Sequence, residues 1–343
     1  MASRIVTTNE MEMLLALYHL RYLTAGQIHQ LWYGTRSRNA ADIRLCRLAA
    51  SGLIERRRCV ISNDTAYSLT SSGLRRLREL RNGDFRPTPP LSPTYLPHHL
   101  ATSAVFAALA QGPAVVWEQL PFSWIGTLGA AIRFEESRRD EFGALRTRTA
   151  LLRPDAIVSV GKAGPRVFVE LDRSSECIRE GDERRSIRRK LRAYGTVLLK
   201  GKVGDAQTWY AGAFPDGRAA RVVFVLARTD RQSQNRIFRD RRIRSIETAA
   251  RDVEPRIDVK CLYLGDVFGL REACGLAAGS APAASASVPE LRLLPADVHQ
   301  LATFYRLAVG ALRNQENADP ALRTAAHDAK AVLKRLREGG EAR

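Results

Sequence analysis

The sequence contains no apolar run approaching the ~20 residues needed to cross a bilayer as a helix. Its first residues, MASRIVTTNEMEM, lack the basic-then-apolar layout of a secretory signal. No membrane partner is expected, and a cytoplasmic address is the default. Cysteine is sparse: Cys46, Cys59, Cys177, Cys261 and Cys274 are scattered without CxxC spacing. That excludes a disulfide framework and a cysteine zinc site, and predicts reduced thiols. The only adjacent histidines are His98 and His99. Consecutive side chains on a helix diverge, so the two are not expected to share a metal. Lysine is scarce as well, at seven of the 54 basic residues. The preference for arginine is not diagnostic by itself, because an Arg- and Ala-rich composition also follows from GC-rich coding.

What is present is positive charge. Fifty-four basic residues stand against 36 acidic ones, for a formal net charge of +18. An excess of this size favours a polyanion, most commonly nucleic acid, and arginine's planar fork suits phosphate and guanine. With 343 residues, 45% hydrophobic and 26% charged, the chain has the composition of a soluble protein with room for two domains.

Residues 1–86 read as one module. Thr7 followed by Glu10 is a capping-box pattern, and Met11, Leu14, Leu15 and Tyr18 form a helical apolar stripe. Thr24 and Gln27 repeat the box ahead of Ile28, Leu31 and Trp32. A third helix is expected from about Ser37 to Ser51, burying Ala41, Leu45 and Leu48 before Gly52. LIERRR (53–58) and TAYSLT (65–70) read as strands around a Ser62-Asn63-Asp64 turn, and Ser71-Ser72-Gly73 leads into a further helix, LRRLREL. Three helices and a two-stranded wing are the order of a winged helix-turn-helix, and SGLIERR…AYSLTSSG resembles that fold's helix-to-wing segment. The module holds 14 Arg against seven acidic residues. Arg36, Arg38, Asn39, Arg44 and Arg47 on the third helix, with Arg56, Arg57 and Arg58 on the wing, are the expected contacts to double-stranded DNA. The alternative is a merely solvated basic face.

RPTPPLSPTYLP (86–97) carries five prolines in twelve residues and reads as an extended, non-helical linker over 87–97. An α/β domain is expected over 98–272. It begins with the helix HHLATSAVFAALA, followed by a buried strand at 114–120 and a charged excursion over 126–150. LLRPDAIVSV-GKAG-PRVFVELDRSSE (151–176) then reads as two strands around a tight turn, with a basic helix, a strand (221–228), a helix (about 233–250) and a strand (257–264) after it. Asp155 and Glu170, at the ends of adjacent strands, are expected side by side. Two such carboxylates repel unless a cation lies between them, and hard oxygen ligands favour Mg²⁺ or Mn²⁺.

Pro154-Asp155 and Glu170-Leu171-Asp172 resemble the PD-(D/E)xK nuclease superfamily, with its restriction-endonuclease-like fold. Lys190-Leu-Arg-Ala-Tyr194 resembles the helix that follows the motif in RecB-like members. The resemblance implies a catalytic set of Asp155, Glu170, Asp172 and Lys190, with metal held by Asp155 and Glu170. The chain departs from the pattern at Asp172, where the superfamily has a lysine that handles the attacking water. Three readings stay open. Lys190 supplies the charge from the next helix, or the site is degenerate and the fold serves DNA binding or assembly, or the acids form salt bridges with neighbouring arginines.

The basic helix (Arg185, Arg188, Arg189) and a second basic run at 228–244 could line a phosphate track. A flexible linker and C-terminal helices are expected over 273–343. Taken together, residues 7 to 270 resemble the replication-relaxation family of plasmids and mobile elements. That resemblance implies a DNA-binding role in replication or transfer. A Mg²⁺-dependent endonuclease and a transcriptional regulator are the alternatives. Other replication or transfer proteins, or a second copy of the chain, are further candidate partners. Around Tyr18, Tyr22 and Tyr194 no motif marks a strand-cleaving tyrosine.

Overall fold

The computed structural model describes residues 6–34, 38–59, 65–89, 91–112, 114–127, 129–139, 142–161, 164–173, 186–200, 208–227, 236–253 and 256–276. Arg36, Arg185, Cys177, the Ser62-Asn63-Asp64 turn and the segments expected after residue 276 lie outside the described residues.

The chain is mixed α/β. Helix α1 (Thr8–Leu20) begins at a reciprocal capping box, in which Thr7 Oγ1 accepts from the Glu10 N–H and Glu10 Oε2 accepts from the Thr7 N–H at 3.0 Å. After a short strand β1 (Leu23–Thr24), α2 (Ala25–Trp32) starts with the same device between Thr24 and Gln27. Helix α3 (Arg38–Ala50) buries Ala41, Leu45 and Leu48. Strands β2 (Ile54–Arg58) and β3 (Thr65–Leu69) pair antiparallel, and β1 adds to β3 as a third strand that its two-residue length concealed in the sequence. Helix α4 (Ser71–Arg81) follows directly. Gly73 is required there, because a Cβ would stand 2.0 Å from the Leu53 carbonyl oxygen.

The expected one-sided stripe on α1 is incomplete. Met13, Leu14, Leu15, Ala16, Leu17 and Leu20 are buried, and so are Glu10 and Glu12, while Met11 and Tyr18 are only half-buried. The reason is a second layer of protein. The Trp117 ring stacks on His19 at a centroid distance of 4.3 Å, and the Trp117 backbone N–H donates to Glu12 Oε2 at 2.8 Å. Arg81 pairs with both Glu12 and Glu118.

The Pro-rich segment ends earlier than expected, in a 3-10 turn (Pro93–Tyr95) leading straight into α5 (Leu96–Ala110). Pro97 is tolerated because the first turn of a helix has no intrahelical use for that N–H. Residues 114–120 are not a strand but hold a 3-10 turn, Trp117–Gln119. Their backbone groups are already engaged: Val115 N–H donates to Leu31 O at 3.0 Å, and Trp32 Nε1 donates to Val115 O at 2.9 Å.

Strand β4 (Phe122–Gly126) is followed by the charged excursion, which is a separate two-stranded antiparallel ribbon, β5 (Ile132–Arg139) and β6 (Leu145–Leu152). Next come β7 (Ala156–Val160), β8 (Arg166–Asp172), α6 (Ile187–Leu199), α7 (Trp209–Ala213), β9 (Ala220–Leu226), α8 (Arg236–Arg251), β10 (Val259–Tyr263) and α9 (Val267–Ala273). The main sheet has the order β10-β9-β8-β7-β4. Strands β8, β9 and β10 run parallel, and β7 runs antiparallel to both its neighbours.

Period-2 alternation along β8 assigns its side chains to two cores. Val167, Val169 and Leu171 join α1, α5 and α9 in one apolar core that is continuous with the N-terminal helices. Phe168 joins Ile187, Leu191 and Tyr194 of α6 and Ile246 of α8 in the other. Glu170 and Asp172 therefore belong to the α6–α8 side.

Candidate functional site

Asp155 lies in the short connection between β6 and β7, and its N–H donates to Val169 O at 3.0 Å. That bond brings its carboxyl beside Glu170 on β8. The Asp155 Oδ2 accepts from the Leu171 N–H at 2.7 Å, and Oδ1 lies 2.6 Å from His98 Nε2. Across the gap, Glu170 is 1% exposed; its Oε2 accepts from Lys190 Nζ at 3.1 Å and its Oε1 from the Tyr194 hydroxyl at 2.7 Å. Lys190 and Tyr194 are four residues apart on α6, hence on one face of the helix. Ser186 caps that helix by accepting from the Arg189 N–H.

Burial shifts these groups unequally. Glu170 is pushed up to about 7, chiefly by burial and secondarily by the negative charge of Asp155, against the opposing pull of Lys190 and Tyr194. Burial would raise Asp155 too, but the hydrogen bond and charge of His98, then Lys190 and the Leu171 N–H, outweigh it and hold the carboxyl below its ordinary value. Burial and the neighbouring Glu170 keep the Tyr194 hydroxyl well above the usual phenol range.

Asp155, Glu170 and Lys190 are thus brought together, and Asp172 is not. Arg242 of α8 grips Asp172 in a fork, Nε to Oδ2 at 2.8 Å and NH2 to Oδ1 at 3.1 Å. Asp172 thus serves to bind α8 to the sheet. His98 and Arg242 are the site residues that sequence reasoning missed, and Tyr194, quoted there with Lys190 in the resemblance to RecB-like members, was given no role. The i+4 spacing of Tyr194 to Lys190 was the local signal for placing both on Glu170. The His98–Asp155 and Arg242–Asp172 contacts join residues 57 and 70 positions apart and leave no local signal.

The arrangement does not fit a divalent cation as it stands. Among the described residues no group of three or more His, Cys, Asp or Glu side chains is placed to hold an ion. All four oxygens of the carboxylate pair already accept from, or lie against, a protein nitrogen or hydroxyl. The Lys190 ammonium supplies the positive charge the pair demands.

These groups form the floor of a cleft of about 910 Å³. The β5–β6 ribbon walls one side, α6 another, and Thr94 and Tyr95 ahead of α5 a third. Arg189 lines the cleft, whereas Arg188 points to Asp252 at 2.6 Å and ties α6 to the end of α8.

On the N-terminal module, the exposed face of α3 carries Asn39, Ile43, Cys46 and Arg47, with Arg38 at its start. Arg44 turns back to the buried Glu10 at 3.2 Å, so it helps fix α3 to α1. The three strand arginines do not share a face. Arg56 NH2 lies 2.8 Å from Cys46 Sγ of α3, while Arg57 pairs with Glu55 at 2.8 Å and approaches the Tyr22 ring from the other side. Arg58 is exposed and, by alternation, falls on the side of Arg56.

The fold is therefore that of a mixed α/β protein with a small helix-and-sheet module built onto its N-terminus and a buried carboxylate pair at the floor of a basic cleft. The chain belongs to the replication-relaxation family, whose model matches residues 14–209. The match begins within α1, covers the rest of the N-terminal module with Asp155, Glu170, Lys190 and Tyr194, and stops before β9. Membership points to a role in the replication or relaxation of mobile elements. No curated protein and no solved structure matches the chain. Among the described residues no helix is long and apolar enough to cross a membrane.

Proposed function

We propose that the chain is a DNA-binding factor of plasmid or mobile-element replication or transfer, gripping double-stranded DNA through a winged-helix N-terminal module. The carrying observation is the exposed face of α3, with Arg38, Asn39 and Arg47, and Arg56 of β2 drawn against the same helix at Cys46. A helix of this kind lying in the major groove sends arginine to guanine and phosphate and asparagine to adenine, and the half-exposed Ile43 suits a thymine methyl. The restriction-endonuclease-like domain then holds DNA without cutting it, because Lys190 and His98 satisfy the carboxylate pair from within.

The test is duplex binding by fluorescence anisotropy over a salt series. Arg38→Ala and Arg47→Ala should each weaken binding several-fold and flatten the salt dependence by about one counterion per lost phosphate contact. Unchanged affinity in both variants would refute the α3 reading.

A second reading, a Mg²⁺-dependent endonuclease, is favoured by one observation: Lys190 Nζ lies 3.1 Å from Glu170, supplying from α6 the charge that the motif lacks at Asp172. Supercoiled plasmid with Mg²⁺ or Mn²⁺ separates the two. Binding without nicking is expected for the parent, Asp155→Ala and Glu170→Ala. Metal-dependent nicking by the parent, lost in both variants, would establish the nuclease.

A further inference from the structure

We propose that the cleft over Asp155 and Glu170 is a site for single-stranded DNA, in which the ring of Tyr95 is the platform for one unpaired base. The proposal rests on the DNA-binding reading above but concerns a surface separate from α3 and β2.

The first observation is the charge of the walls. Arg148, Arg153, Arg173, Arg189 and Lys190 line the cleft against three acids, Glu136, Asp155 and Glu170. None of the three acids faces the cleft unaccompanied. Glu136 is paired with Arg148 at 2.9 Å, Asp155 with His98 and the Leu171 N–H, and Glu170 with Lys190 and Tyr194. The surplus is cationic, which suits a phosphodiester backbone rather than a cationic or neutral ligand.

The second observation is Tyr95. It stands in the 3-10 turn leading into α5, on the cleft wall, and is 55% exposed. Exposure alone is ordinary for a tyrosine; what singles out this ring is its place on the wall of a basic cleft. A basic groove that tracks the backbone, with an aromatic ring on which a base can stack, is how proteins hold unpaired nucleic acid, because every base offers a π-face.

The third observation is size. A cleft of about 910 Å³ is at the upper end for small-molecule sites. It admits a few nucleotides of one strand. A duplex, whose major groove alone is ~12 Å wide, could lie only across the mouth.

The test uses the full chain and a short single-stranded oligonucleotide carrying 2-aminopurine, read by anisotropy and by quenching of the base, with a duplex of the same sequence as control. Tyr95→Phe should bind and quench like the parent. Tyr95→Ala should lose the quenching and about tenfold or more in single-strand affinity, the usual effect of removing a stacking ring, with duplex affinity unchanged. Arg189→Ala should weaken single-strand binding and its salt dependence while keeping the quenching. The proposal is overturned if Tyr95→Ala quenches and binds like the parent. It is also overturned if Tyr95→Phe loses as much as Tyr95→Ala, since that would assign the role to the hydroxyl. Failure of the α3 reading has a different signature, namely duplex binding indifferent to Arg38→Ala and Arg47→Ala whatever Tyr95 does.

Discussion

Asp172 offers the sharpest stability experiment, because the motif reading and the fold assign it opposite duties. In the fold it is 2% exposed and held bidentately by Arg242, itself 11% exposed at the side chain. Removing one partner of such a pair leaves a buried charge without its counterion, which typically costs 3–5 kcal/mol. Asp172 and Arg242 each keep a further interaction, so the lower end, about 3 kcal/mol, is expected for Arg242→Met. In a body of this size that corresponds to a fall in Tm of roughly 6–12 °C. The assay is thermal or urea unfolding of the full chain at neutral pH for Arg242→Met, Asp172→Leu and the double variant. Replacing both partners by apolar groups of similar volume is often neutral, so the double variant should recover most of the loss. Circular dichroism of the same samples, with duplex and single-strand affinities, checks the other half of the argument: both affinities should persist in the folded double variant. A cost below about 1 kcal/mol for Arg242→Met, the range of an exposed pair, would refute the buried-pair argument. DNA binding lost in a double variant of full stability would return Asp172 to the functional site.

Two further outcomes follow from the same geometry. Burial raises Glu170 from an ordinary 4.5 to about 7. Between those values the folded chain keeps a proton on Glu170 that the unfolded chain releases, so this group makes stability fall as pH rises. His19 and His99, both lowered by burial to about 4, act against it, because their share of stability is lost as pH falls through the same window. Asp155, held below its ordinary value, acts only on the acid side of that window, where stability is lost as pH falls. Glu170→Gln should make the change of stability with pH over 4.5–7 more positive than in the parent in a series of unfolding curves, and an unchanged slope would contradict the assignment. Gly73→Ala should destabilise the N-terminal module by more than the ~1 kcal/mol typical of a point substitution, because its Cβ would collide with the Leu53 backbone carbonyl rather than with a movable side chain. Unfolding midpoints equal to the parent would show that α4 can shift to relieve the contact.

How much was legible in the sequence depended on the range of the interactions involved. The two capping boxes, Thr7 with Glu10 and Thr24 with Gln27, and the buried triplet Ala41, Leu45 and Leu48 on α3 are set by contacts within three to seven residues. They stand in the structure as the pattern requires. The adjacency of Asp155 and Glu170 was also legible, because a hairpin of β7 and β8 leaves little choice of register. The stretch 114–120 was misread. Alternation and β-branching signal only a half-buried backbone, and here α1 and α2 take up the donors and acceptors that a sheet would have used.

By itself, then, the sequence determined the charge, the element types, the helix starts and the presence of an acidic pair, all properties of composition or of neighbouring residues. The tertiary structure alone decided what each charge does. It took Asp172 out of the site by bringing Arg242 to it, put His98 and Lys190 on the carboxylates, separated Arg57 from Arg56 by the pleat of β2, and joined the N-terminal helices to α5 in one core. Those are pairings across tens of residues. They are set by how whole layers pack, and the sequence of either partner carries no mark of the other.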